Sequence, residues 1–128
     1  MQENWDKEVD VLVVGSGAGG MMNALVSAHY NNDVLIIEKA ELWGGSSATS
    51  GAGIWIPGSD QAREAGFEDN LDDAFKYVRA LSADNVPDEN IRAYVNEAAP
   101  MLRWMGQNTE INYAAFPYPD YHAENPGG

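Results

Sequence analysis

Val9-Asp10-Val11-Leu12-Val13-Val14-Gly15-Ser16-Gly17-Ala18-Gly19-Gly20 is the stretch whose reading decides the fold. Val9 to Val14 is a β-branched run with one polar residue, stopped by Gly15, which is how a short buried parallel strand reads. From Gly20 to about Tyr30 the apolar residues Met21, Met22, Ala24, Leu25 and Ala28 take helical spacing. Asn31-Asn32-Asp33 makes a turn, and Val34 to Ile37 is a second strand ending at Glu38. Strand, glycine-rich turn, helix and strand within some thirty residues form a βαβ unit with a right-handed crossover. The fold class expected is therefore α/β, the N-terminal part of a Rossmann-like domain followed by amphipathic helices.

The turn carries G-x-G-x-x-G at Gly15, Gly17 and Gly20. Alone the pattern is weak, but here it follows a strand, opens a helix and has an acid at Glu38, at the end of the second strand. In that context it is the dinucleotide fingerprint. The first glycine permits the tight turn, the second lets backbone approach a pyrophosphate, and the third allows the helix to pack closely on the strand. Ser16, Ala18 and Gly19 complete the loop, and the pyrophosphate is expected at the helix N-terminus, where free N–H groups and the helix dipole favour an anion. Glu38 is expected to accept hydrogen bonds from the adenosine ribose, and its charge disfavours a 2′-phosphate.

FAD and NAD both use such a turn. What separates them is a second Gly/Ser cluster, Gly44-Gly45-Ser46-Ser47 followed by Ser50-Gly51-Ala52-Gly53, arriving just after Glu38-Lys39. It offers N–H groups and hydroxyls to a further length of an extended cofactor, so FAD is expected. Residues 44–59 hold five Gly, one Pro and five Ser or Thr, yet Ile54, Trp55 and Ile56 give the segment something to bury. It reads as an ordered functional loop.

The 128 residues carry 20 Asp plus Glu against 7 Lys plus Arg, a formal net charge of −13. Such a balance suits neither nucleic acid nor an anionic membrane surface. With no Cys there is no disulfide, thiolate metal site or Cys nucleophile, and two distant His make no transition-metal site. No basic patch precedes an apolar stretch at the N-terminus, so the expected location is the cytoplasm.

Downstream, Leu71, Ala74, Phe75, Val78 and Leu81 predict a helix with Asn70 as N-cap and Asp72 and Asp73 in its first turn. Pro87-Asp88 opens another, with Ile91, Tyr94, Val95 and Ala98 as its stripe; Pro100 is expected to kink or restart it and Gly106 to end it. The ten acids and four bases of residues 60–97 read as a solvated outer face. Ile111 to Phe116 is a strand candidate, and the prolines at 117, 119 and 126 exclude a central strand or helix beyond it. Two parallel strands do not make a stable sheet, so the segment is expected to need completion by further polypeptide or by a partner chain.

VDVLVVGSGAGG at 9–20 and VLIIEKAELWGGSSATSGAGIWIPG at 34–58 together resemble the N-terminus of FAD-dependent flavoproteins related to fumarate reductase. Within them the Gly-Ile-Trp-Ile-Pro-Gly stretch, Ala93-Tyr94-Val95 and the Phe-Pro…Pro-Asp-Tyr segment are most similar to the 3-ketosteroid Δ1-dehydrogenases. The resemblance covers essentially the whole chain but about the first quarter of such an enzyme, and it implies that residues 1–60 are the first part of a discontinuous FAD domain, with 61–128 a helical segment and loop leading toward the catalytic region. It implies oxidation of a 3-ketosteroid across its 1,2 bond, with hydride to the flavin and the neighbouring proton to a tyrosinate base. The base and the donors that hold the ketone oxygen belong to later parts of such a chain. By the Pro-Asp-Tyr match, Tyr121 is similar to the family's assisting tyrosine; Tyr118-Pro119 departs from the pattern and makes Tyr118 a competing position. Covalent flavin attachment in the family uses His or Cys, and neither stands near these loops, so FAD is expected to be non-covalent.

Two alternatives stay open. A fumarate-reductase-like enzyme would need Arg and His for substrate carboxylates, whereas Arg63, Arg79, Arg92 and Arg103 stand in acidic helical surroundings. A non-catalytic dinucleotide-binding fragment needs only the loops. His29 and the four Trp read as boundary and packing residues, with Trp55 also a candidate to border flavin or substrate, and His122 a candidate to support Tyr121.

Overall fold

The computed structural model describes residues 4–128. The order is β1 (Val11–Val14), α1 (Ala18–His29), β2 (Val34–Ile37), a 3-10 turn (Gly45–Thr49), α2 (Asp60–Glu64), α3 (Leu71–Leu81) and α4 (Asp88–Asn108). The chain divides into two compact units, one ending at Gly53 and the other running from Ile54 to Gly128.

In the first unit β1 and β2 pair in parallel, Val11 opposite Val34 through Val14 opposite Ile37, with α1 packed against both strands. This is the βαβ unit expected. The helix begins at Ala18, two residues before the expected start, so Gly20 lies within its first turn. Val13 and Ala24 are buried, while Leu12 is 55% and Val14 77% exposed. The pleat explains the alternation: successive side chains point to opposite faces, and α1 covers only one. The turn back into β2 uses Asn31 at a φ of 62°, a conformation that asparagine tolerates better than most residues.

The second unit is a helix pair, α3 on α4, with Ala74, Ile91 and Val95 at its centre and Trp55, Phe75, Val78 and Val86 around them. Asn70 caps α3 as expected, its Oδ1 accepting from the N–H of Asp73 at 2.9 Å. Helix α4 differs from the reading of its sequence. It runs unbroken through Pro100 and Gly106 to Asn108, because Ile91, Val95, Ala98, Ala99, Leu102 and Met105 form one continuous buried stripe. Pro100 forgoes one hydrogen bond, and the burial on either side of it outweighs that loss.

Ile111 to Phe116 forms no strand. A strand exists only with a hydrogen-bonding neighbour, and among the described residues that stretch has none. The chain beyond it is held by local turns, Ala123 N–H on Asp120 O and Asn125 N–H on His122 O. No helix among the described residues is long and apolar enough to cross a membrane.

Candidate cofactor-binding site

The site is built at the C-terminal edge of the two strands, where the chain leaves β1 for α1. Gly15 makes the turn at a φ of +96°, in the left-handed region where a side chain is strained. The turn is tied to β2 by the Gly15 N–H, which donates to Ile37 O at 2.8 Å. Gly20 is required for a different reason: a Cβ there would lie 2.0 Å from the carbonyl oxygen of Gly15 and 3.3 Å from Val13 Cγ1. The third glycine therefore allows helix and turn to touch, as the fingerprint implies.

Around Gly17 and Gly19 a Cβ would meet nothing within 4 Å, so the backbone face at the start of α1 is open. Its N-cap residue, Gly17, has no side chain to cap it, and its first turn holds no acid. The Ala18 N–H donates to Ser47 Oγ, at a long 3.3 Å. An open helix end with no acid in its own first turn fits a pyrophosphate group.

Ser16 is the hub. It is 2% exposed, and its Oγ donates to Glu38 Oε2 at 2.6 Å while accepting from the Gly44 N–H at 2.8 Å. Its own N–H donates to the same Oε2 at 2.9 Å, and Glu38 Oε1 accepts from the Ala40 N–H at 3.0 Å. One hydroxyl thus joins the first loop, the acid after β2 and the second Gly/Ser cluster. The two glycine-rich segments also approach closely, a Cβ on Gly45 lying 3.5 Å from Gly17 Cα.

These donors set the charge state of Glu38. Its carboxyl falls from an ordinary value of 4.5 to about 2, first through the Ser16 hydroxyl, then the N–H groups of Ala40 and Ser16, with burial acting in the opposite sense. Because the folded value is the lower one, the link is fully present above about pH 4.5 and lost as pH falls through about 2. A carbon-detected NMR titration should accordingly show an unchanged, ionised Glu38 from pH 5 to 8 and its midpoint well below 4.5. A midpoint at or above that value would break the Ser16–Glu38 link.

Of the expected residues, the structure brings together Gly15, Ser16, Gly17, Ala18, Gly20, Glu38, Gly44, Gly45 and Ser47. Ser46 and Ser50 make local bonds: Ser46 O accepts from Thr49 Oγ1 at 3.0 Å, and Ser50 Oγ donates to Ser47 O at 2.8 Å. Gly51 and Gly53 face open space, Ala52 sits at a φ of 61°, and Lys39 is exposed. Trp43 escaped the sequence reading as a site residue. With Ser16, Met21, Ile36 and Glu38 it lines a largely apolar hollow of about 300 Å³ beside the loop. Its signal was its place directly before Gly44-Gly45.

In the second unit Tyr121 is 90% exposed, on the turn that follows Asp120. The ring of Tyr118 stacks on Phe116 at 5.8 Å, and His122 Nδ1 lies 3.7 Å from Glu124 Oε1. Trp55 packs on Tyr77 and Tyr94, with ring centroids 5.3 and 6.4 Å apart. Among the described residues no group of His, Cys, Asp and Glu is placed to hold a metal ion.

The chain is 42% identical over 123 residues to a 3-oxosteroid 1-dehydrogenase of Mycolicibacterium smegmatis, covering 95% of this chain and 22% of that protein. It is 41% identical over 119 residues to a 4-oxocyclohexanecarboxylate 2-dehydrogenase of Sinomonas cyclohexanicum, covering 92% and 21%. The crystal structure of a 3-ketosteroid delta1-dehydrogenase from Sterolibacterium denitrificans, in complex with 1,4-androstadiene-3,17-dione, superposes with a TM-score of 0.81 at 35% identity, over 93% of this chain and 21% of that one. The chain thus spans about a fifth of the length of the relatives it matches. Residues 10–127 match the model of the FAD binding domain family: the chain belongs to that family, and its cofactor is FAD.

Proposed function

We propose that this chain is the FAD-binding part of a dehydrogenase that oxidises a 3-ketosteroid at its 1,2 carbon–carbon bond. The observation that carries the reading is the pairing of a built FAD loop system with 42% identity to a 3-oxosteroid 1-dehydrogenase across 95% of the chain. Bound FAD would supply the hydride acceptor. Gly15 to Gly20 would hold its pyrophosphate on the α1 N-terminus, and Gly44 to Ser47 would line the next length of the cofactor, with Ser50 to Gly53 beyond them. Glu38 Oε1 has taken one donor, the Ala40 N–H, and retains an acceptor position for a ribose hydroxyl. Lys39 would stand beside the same ribose.

Tyr121, on its exposed turn, would assist the base that takes the proton from the ring carbon, and its hydroxyl must reach that base to do so. The base and the donors to the ketone oxygen would come from further polypeptide, which also completes the sheet. A cytoplasmic location is the reading of the acidic, cysteine-free sequence.

The test is anaerobic mixing of the full-length holoprotein with a 3-ketosteroid. The flavin should bleach in a single turnover, and acid denaturation should release FAD into the supernatant. Bleaching by 4-oxocyclohexanecarboxylate in place of the steroid would move the substrate to the smaller ring ketone. Colour retained in the precipitate would overturn non-covalent binding.

A further inference from the structure

Tyr77 is the largest side chain in the second unit that is almost wholly buried, at 2% exposure, and its hydroxyl is the one polar group it must satisfy. It does so across 43 residues, donating to Asp120 Oδ2. The hydroxyl therefore holds the residue directly before Tyr121. Burial, and after it the Asp120 carboxylate, pushes the Tyr77 phenol up to about 12, which keeps it a neutral donor at any physiological pH. The Tyr77 ring meanwhile packs on Trp55, whose carbonyl oxygen accepts from Tyr94 Oη at 2.7 Å. One residue of α3 therefore touches both loops that the sequence marks out, Gly53 to Gly58 through Trp55 and Pro117 to His122 through Asp120.

The turn bearing Tyr121 is otherwise held by its own backbone bonds and, six residues further on, by the close approach of Gly127 to the backbone of Asp73. Phe116 to Asp120 carries no regular structure, Asp120 itself is exposed, and its backbone bonds are to the turn alone. A charge-assisted bond from a buried phenol, whose ring is immobilised by packing, ties Asp120 directly to α3. We propose that Tyr77, through Asp120, is the positioning residue that sets the place of Tyr121 and keeps its loop in register with the Trp55 loop. This rests on the reading of Tyr121 as the assisting tyrosine.

The experiment uses the full-length holoprotein and the variants Tyr77→Phe, Asp120→Ala, Asp120→Asn and the Tyr77→Phe/Asp120→Ala pair. Phenylalanine preserves the ring packing on Trp55, and Asp120 is a surface position, so neither change should unfold the helix pair. Amide exchange over residues 117–125 should rise several-fold in Tyr77→Phe and in Asp120→Ala, no further in the pair, and should stay near the parent in Asp120→Asn, which keeps an oxygen for the phenol. FAD content should be unchanged, and single-turnover bleaching by a 3-ketosteroid should slow roughly tenfold in the same variants, with the asparagine variant restoring most of the rate.

Unaltered exchange in Tyr77→Phe overturns the inference whatever the activity. Looser exchange with an undiminished bleaching rate overturns the positioning role while leaving the dehydrogenase reading intact. A parent protein that oxidises no ketosteroid defeats that reading instead, and the exchange data then decide the anchor alone.

Discussion

Gly20→Ala in the full-length protein should be purified colourless, with a lowered melting temperature. The added methyl group would be placed 2.0 Å from the carbonyl oxygen of Gly15, a backbone atom that no side-chain rotation can move away. Either α1 shifts off the strand or the turn changes shape, and both displace the N–H groups offered to the pyrophosphate. Overpacking of this kind costs about 3 kcal/mol. If that loss falls on the bound geometry, FAD affinity drops about a hundredfold. Gly106→Ala is the control: its Cβ meets open space within α4, where alanine favours the helix by about 0.5–1 kcal/mol. The ratio of flavin to protein absorbance and a thermal melt separate the two. A Gly20→Ala protein that keeps its FAD and its melting temperature contradicts the close approach.

Residues 1–128 expressed by themselves should give no cooperative unfolding transition and no tight FAD binding. The sheet has two strands of four residues each, and both outer edges carry unpaired backbone groups. Leu42 and Trp43 are 81% and 72% exposed, in addition to the uncovered side of β1. Each large apolar side chain left in water forgoes about 1.5–3 kcal/mol that burial would give. The helix pair α3 and α4 has a core of its own and should retain helical circular dichroism. The expected outcome is therefore a partly helical, aggregation-prone polypeptide. A sharp denaturation curve together with submicromolar FAD binding by this segment would refute it.

The βαβ unit was legible because its signals are local. A β-branched run, three glycines and an acid at fixed spacing each have one physical reading, and the parallel register of Val11 with Val34 follows from them. Asn70 was legible for the same reason, since an N-cap acts within three residues. The readings that failed were those in which a local signal met a distant one. Gly106 is a terminator and Pro100 a restart point by propensity, but the buried stripe from Ile91 to Met105 carries the helix past both. Ile111 to Phe116 has strand composition without a partner strand, and composition alone cannot supply one. Tyr77 sits outside the apolar stripe read from α3, yet it is more deeply buried than Leu71 or Leu81 because Trp55 and Asp120, each far away in sequence, close over it. The role of Ser16 was hidden because an x in a motif advertises nothing.

That last position bears on how such a loop tolerates change. In G-x-G-x-x-G the residue after the first glycine is formally free, and a surface serine there would accept nearly any replacement. Ser16 does not have that freedom. Its side chain is enclosed, and its single hydroxyl both donates a hydrogen bond to Glu38 and accepts one from the Gly44 N–H. Alanine fits the space but deletes both bonds at once, leaving the Gly44 N–H buried without an acceptor. The variable letter of the motif thus carries a constraint written by residues 22 and 28 positions away. Transplanting the glycines of this loop to another scaffold, without a small hydroxyl between the first two and an acid and an N–H to meet it, would reproduce the turn and lose the junction.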